Sequence, residues 1–505
     1  MRSFLTSQFY FSDSHFLKGR AKVIILPNEN VSMKGHYSVL VLLSLISLVV
    51  MFVEIMLVPD LRQVASDFTN GAEWISWVLS IYLLVGGVVT PIIGKLGDIY
   101  GTRNLLITVM VIYLLGLLGS GFSITISNSL FGEANIFVLL FFRGVQGIGM
   151  GMFPLAFSVI RDVFPQDRIP FALGLVSSMF AVGTSIGLVL GGWLTSVDTW
   201  NFAFHLVAIP FAILIIAAFF VVKKEQGVEK GAKIDGMGAA LLGISVFCFL
   251  YAVTAGRTDG WTSFKILSFF VVSVIAAIAF VLWERRSKEP IVKLSLFKNL
   301  GIMNATLVAF FAGLVMFLYY QTMPFFLETP VELGGYYGFS DTFVVGLHML
   351  PTAAFQFIFG MTGGIASKKY GSTNVMVVGT AIMAVGFLIL TQFNDVFWKL
   401  SVSQAVLGTG IALAMSSLIN VVMDFTPKDE FGVSSGMNTL FRTIGGAIGP
   451  ALSAAVMAPY AIPGFEELYR YEGFDRIWTV ATVFAVIAFI IALVFRKGGK
   501  QGKRS

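Results

Sequence analysis

The sequence predicts an all-α polytopic membrane protein of fourteen spans. Three observations carry this. Apolar runs of about 20 residues, each long enough to cross roughly 30 Å of hydrocarbon, recur along the 505 residues. Only 12% of the chain is charged, against about 25% in a soluble domain. The basic residues are also sorted by side, as set out next.

Each span follows from one such run, placed roughly at 38–58, 74–96, 104–124, 136–160, 171–195, 203–222, 235–254, 264–283, 303–327, 342–365, 374–392, 398–423, 433–456 and 475–495. An even number puts both termini on one side. Of 34 Lys and Arg, Arg143 and Arg442 fall within spans. Arg62, Arg257, Lys265, Lys399, Arg470 and Arg476 lie in loops of one side, and all others lie on the side of the termini. The positive-inside rule then makes both termini cytoplasmic in a multi-pass cell-membrane protein. The net charge of +6 therefore reads as topology, not as affinity for nucleic acid. Cys248 stands alone, so no disulfide framework exists. The first 32 residues are mixed and polar without a signal-peptide pattern. Met33, ahead of Lys34 and the first span, is an alternative start to Met1.

Between spans two and three lies Gly94-Lys95-Leu96-Gly97-Asp98-Ile99-Tyr100-Gly101-Thr102-Arg103. It is expected to form a tight hairpin. Gly94 and Gly101 let the backbones turn and pack closely, and Asp98 and Arg103 place opposite charges at the two helix ends. Gly364 to Gly371, after span ten, repeats the spacing of Gly94 to Gly101, with Tyr370 matching Tyr100 and Lys368 matching Asp98. The two loops are eight helices apart. Six helices, two extra and six more account for that offset, and repeats with a site at their interface are a common transporter plan.

The Gly94–Arg103 stretch resembles the signature loop of the major facilitator superfamily, G-x-L-x-D-x-x-G-x-R. The plainer reading is a basic turn that only sets topology. The regions Ile234-Asp235-Gly236-Met237-Gly238, Gly256-Arg257-Thr258-Asp259-Gly260-Trp261, Pro290 to Phe297, Pro324 to Leu327 and Gly346 to Pro351 look like the fourteen-span drug:proton antiporter family. The resemblance runs from about Lys34 to Arg496. It implies a major facilitator fold (6+2+6): a cytoplasmic tail at 1–33, a six-helix bundle at 34–224, a linker with two extra helices at 225–300, a second bundle at 301–497 and a tail at 498–505.

Glu54 is the one acid well inside a span. A charge near a helix centre costs about 2.5–3.5 kcal/mol on insertion scales, less toward an interface, so an intramembrane acid is a functional candidate. The alternative is a residue at the outer water layer, because Pro59 and Asp60 soon follow. Family members often carry an Asp at the position of Val50, one helical turn away on roughly the same face. Arg143 belongs to Phe142-Arg143-Gly144-Val145-Gln146-Gly147-Ile148-Gly149, which resembles the family's R-x-x-Q-G-x-G. At 1.5 Å per residue, Arg143 lies about 10 Å and Glu54 about 6 Å below the outer surface. In this fold both helices line the central cavity, so the resemblance implies that the two face each other. They are read as a proton-coupling pair or as a static ion pair joining two helices.

Gln146, the glycines around it and Pro154 make the fourth span adaptable. Gly183, Gly187, Gly191 and Gly192 resemble the antiporter motif G-x-x-x-G-P-x-x-G-G, with Leu188 in place of its proline. Glycines four apart form one smooth packing face. Arg442 in Phe441-Arg442-Thr443-Ile444-Gly445-Gly446 resembles the family's R-x-x-G-G and serves as an anchor or a cavity residue. His205 and His348 are proton-relay candidates, weighed against plain helix-contact residues.

No P-loop, metal-ligand cluster or Ser/His/Asp signature is present, so no enzyme, cofactor or metal is expected. The function expected is a proton-coupled secondary transporter in the lipid bilayer, exporting a small-molecule substrate such as a hydrophobic cation by alternating access. A symporter or uniporter for another solute, such as an organic anion or metabolite, is the first alternative. A lipid-handling or non-transporting membrane receptor is the second.

Overall fold

The computed structural model describes residues 33–58, 61–75, 77–197, 199–223, 235–287, 290–462 and 468–496. Expectations placed on the N-terminal 32 residues, the 224–234 linker and the 498–505 tail fall outside the described residues. So do Pro59, Asp60 and the side chains of Leu188, Arg62 and Arg257.

Fourteen helices are long and apolar enough to cross a membrane. They are α1 (His36–Ile55), α2 (Trp77–Tyr100), α3 (Thr102–Gly121), α4 (Ile136–Val163), α5 (Ile169–Leu194), α6 (Trp200–Val221) and α7 (Gly236–Gly256). The rest are α8 (Phe264–Glu284), α9 (Leu300–Glu328), α10 (Phe343–Tyr370), α11 (Ser372–Gln392), α12 (Phe397–Phe425), α13 (Lys428–Tyr460) and α14 (Tyr471–Val494). Continuous apolar runs close every backbone hydrogen bond within the helix, which hydrocarbon demands.

The expected hairpin after span two is shorter than the sequence suggested. Helix α2 continues through Asp98 to Tyr100 and α3 begins at Thr102, so Gly101 alone makes the turn, with φ 94°. Asp98 therefore sits in the last turn of a helix, not in a loop. Gly371, between α10 and α11, takes the same backbone conformation with φ 88°. Only glycine adopts this region without strain.

The core is built where α1, α4 and α5 meet α9, α10, α12 and α13. Two long seams join the halves of the chain. In one, α5 runs along α10; in the other, α2 runs along α13. Both seams rely on missing side chains. A Cβ at Gly94 would lie 2.3 Å from the Gly432 carbonyl oxygen, and one at Gly364 would lie 2.3 Å from that of Pro170. Helices α6 and α8 are outermost and present apolar side chains outward, including Ile213, Phe220, Val271 and Ile275. Helices α7 and α8 pack on each other, and α7 also touches both α2 and α13.

Candidate functional site

Helix α1 ends at Ile55, which leaves its last carbonyls without helical partners. Arg143 of α4 fills that deficit. Its Nη1 donates to the Val53 carbonyl oxygen (3.1 Å) and to Oε1 of Gln146 (2.8 Å). Its Nη2 donates to the carbonyl oxygen of Glu54 (3.0 Å), and its Nε to that of Val78 in α2 (2.9 Å). Gln146 in turn donates to the Gly116 carbonyl oxygen (3.0 Å) and to Oγ of Ser120 (2.7 Å) in α3. The guanidinium also lies over the Tyr82 ring, 5.0 Å from its centroid. One planar fork thus fastens α4 to α1 and α2, a task a lysine cannot perform, and Gln146 extends the tie to α3.

The expected side-chain pairing of Glu54 with Arg143 is not formed. Arg143 reaches the backbone of Glu54, because unsatisfied helix-end carbonyls lie within its fork. Glu54 is 1% exposed, and both of its carboxylate oxygens lack a hydrogen-bond partner among the described residues. Two positive charges act on it: Arg143 and, from the other half of the chain, Arg442. In α13, Arg442 stacks on Phe180 of α5, with the guanidinium carbon 3.6 Å from the ring centroid. Its Nε and Nη2 have no hydrogen-bond partner among the described residues, and the charge of Glu54 acts on it. A buried acid and a buried guanidinium, both with free valences, therefore come from opposite halves of the molecule. Buried polar groups are normally satisfied, so these two are conspicuous. The stacking partners Phe180 and Phe153 (5.9 Å) carried no sequence signal of their own. Aromatic faces near a buried arginine are the cue that could have found them.

In the fourth span, the helix relaxes into a 3-10 turn at Ile148–Gly151. Gly147 and Gly151 there lie against the Tyr82 carbonyl and Ile93 of α2. A mid-helix 3-10 stretch of this kind often marks a hinge. The glycine stripe of α5 packs on the α1 backbone. Cβ atoms at Gly183, Gly187 and Gly191 would meet the carbonyl oxygens of Leu48, Phe52 and Met56 at 2.5, 2.8 and 2.3 Å. Gly192, the next residue, is buried.

His205 and His348 make their contacts elsewhere. The His205 ring stacks on Phe122 (4.4 Å) and covers Gly121. Nδ1 of His348 bonds the Val344 carbonyl oxygen (2.8 Å), and its ring meets Phe339 and Phe397.

At the opposite end of the spans, Asp98 accepts from the backbone N–H groups of Gly432 (3.0 Å) and Val433 (2.9 Å). It thereby caps the first turn of the helix in α13, where orphan donors and the helix dipole favour an anion. Arg161 of α4 donates to the Lys428 carbonyl oxygen. Arg103 makes no such link between the halves. Its Nε and Nη2 donate to the carbonyl oxygens of Val222 and Phe219 (2.5 and 2.6 Å), closing the end of α6.

The sequence profile described as "Major Facilitator Superfamily" matches residues 43–450, with a second match at 306–504. The chain is 30% identical over 395 residues to the multidrug transporter protein MdtP of Bacillus subtilis, covering 77% of this chain and 69% of that protein. It is 28% identical over 388 residues to multidrug resistance protein 3 of the same organism, covering 75% and 72%. Among solved structures, the proton:xylose symporter XylE superposes with a TM-score of 0.62 at 14% identity, over 91% of this chain and 95% of that one. Fourteen spans, paired halves meeting at a buried charged centre, and a profile match over most of the sequence lead to one conclusion: the chain belongs to the major facilitator superfamily, as a multi-pass membrane transporter of small molecules and not an enzyme.

Proposed function

We propose that this transporter exports hydrophobic or cationic drugs in exchange for protons, with Glu54 as the group at which proton and substrate compete. The observation that carries the reading is the buried Glu54 carboxylate, whose two oxygens have no donor while Arg143 is committed to backbone carbonyls. A carboxylate with open lone pairs can take a proton or the charge of a cation, one at a time. Binding either changes its interaction with Arg442 on the other half of the chain, so the occupant biases how the halves sit. The multidrug relatives supply the substrate class.

In this reading residues 34–224 and 301–497 are the rocking bundles, 225–300 holds the inserted pair, and both termini are cytoplasmic. Asp98 then closes the cytoplasmic side. Gln146 and the glycines of α4 allow the motion, and the Gly183–Gly192 stripe keeps α5 tight on α1. His205, whose buried Nε2 has no partner among the described residues, and His348 stay candidates for relaying the proton. Leu188, where the family's antiport motif has proline, is the observation on the side of a symporter for another solute.

Proteoliposomes with an imposed pH gradient separate the two. Ethidium is expected to move opposite to the protons and to reverse when the gradient is reversed. Movement together with the protons would make the chain a symporter.

A further inference from the structure

The inserted pair α7–α8 and the linker that follows it meet the rest of the molecule at the place where Asp98 holds α13. We propose that this linker is a working part of the closure at the Asp98 end: Lys293 grips the first turn of α13, Glu284 holds Lys293 in position, and parting α2 from α13 requires this grip to release.

Three sets of contacts support it. Lys293 forms an ion pair with Glu430, which is 5% exposed and immediately precedes the helix that starts at Phe431. Asp98 binds the N–H groups of Gly432 and Val433, two and three residues further on. Arg161 binds the Lys428 carbonyl and covers the Phe431 ring at 5.0 Å. Three separate elements thus converge on six consecutive residues, 428–433.

The linker itself is tethered. Oε1 of buried Glu284, the last residue of α8, accepts from the Ile291 N–H (3.2 Å), and the Val292 N–H also serves it. That tie fixes the turn carrying Lys293. Behind it, Leu84 of α2, Leu250 of α7, Phe280 of α8 and Val292 pack in one apolar cluster with Val433 and Met437 of α13. The inserted pair therefore touches both sides of the α2–α13 seam. If α13 swings away from α2, either this cluster divides or the linker is left behind. Lys293–Glu430 resists both until it breaks. Lys293 and Glu284 are positioning residues, since they act through α13 and meet no substrate.

The proposal rests on alternating access but not on which ion drives it, so its test uses no substrate. Ser435 is buried on α13, on the helix face it shares with Arg442 seven residues on, and lies just beyond the gripped turn, its hydroxyl donating to the Gly432 carbonyl oxygen (3.0 Å). In a Cys248→Ser background, which removes the chain's one thiol, Ser435→Cys is labelled with an impermeant maleimide on the full-length protein in nanodiscs. Lys293→Glu is expected to speed labelling roughly fivefold, the upper end for an ion pair with one exposed partner. Lys293→Arg should keep the wild-type rate. The double exchange Lys293→Glu with Glu430→Lys should restore slow labelling, which a merely structural loss would not do. Thermal unfolding verifies that each variant is folded. Unchanged labelling in Lys293→Glu overturns the proposal, as does a folded double exchange that stays fast.

Discussion

Two carboxylates at opposite ends of the spans show the contrast that organises this molecule. Asp98 accepts two backbone N–H groups from the far half of the chain. Glu54 is buried more deeply and accepts none among the described residues. The engaged acid is spent on holding α2 to α13. The other has its lone pairs open, which is why we propose it as the proton's site. Energetically, an anion on helix-end donors is stabilised, while an unpartnered buried polar group is costly. Among the described residues Glu54 is the acid that carries the second cost at both of its oxygens, which is the ground for proposing that it works.

The largest effect that would break this contrast is Arg143→Ala. It strands three carbonyls and Gln146, at about 1–3 kcal/mol per unsatisfied group. Loss of folded protein is expected, read as yield and melting temperature in detergent; a well-folded variant would mean that α1 ends securely without its clamp. Next comes Asp98→Ala. Losing a cap of this kind costs about 1 kcal/mol, up to 2. Labelling of Ser435→Cys should accelerate roughly tenfold, and no change would remove Asp98 from the closure. Gly187→Val forces branched carbons against the Phe52 carbonyl and should destabilise by about 1–3 kcal/mol, seen as a lower melting temperature with wild-type pH response retained. Gly101→Ala acts on stability alone: at φ 94° and ψ 138° the strain is about 1–3 kcal/mol, expected as a lower melting temperature with no change in coupling.

The pH dependence sharpens the comparison further. The Glu430 carboxylate holds the Lys293 ammonium above its ordinary pKa. A raised lysine contributes fully below its unfolded pKa and loses that contribution only as pH rises through the folded one. The Lys293–Glu430 pair therefore adds no slope of its own from about pH 6 to 8. Labelling of Ser435→Cys, corrected for the ionisation of the thiol and read without substrate in the Glu54→Gln background, should change there only through Asp98 and Glu284. Lys293→Arg should then leave the profile unaltered. A profile reshaped by Lys293→Arg would contradict this.

Much of this was legible in the sequence, but not its partners. Apolar run length located all fourteen spans, because the membrane imposes one length on every crossing. Gly101 and Gly371 announced the repeated turn, since few other residues tolerate that backbone. Arg143 was visible as a buried charge, yet its acceptors were not. They are carbonyls of Val53, Glu54 and Val78, 65–90 residues away, and every residue carries a carbonyl, so no side chain signals them. Arg103 went unread for the same reason. Asp98 was recognisable as a helix-end ligand, while the helix it caps lies 334 residues on. The stacking of Arg442 on Phe180 joins two helices that only the folded interface brings together.

The central claim, that Glu54 is where the proton acts, is tested most directly with Glu54→Gln in proteoliposomes under two regimes. In counterflow without a gradient, the variant should still exchange ethidium, because folding and alternation remain. Under an imposed pH gradient, accumulation should fall to background while wild type responds. A variant that keeps both exchange and full gradient-driven accumulation would contradict the account and leave Glu54 a structural residue.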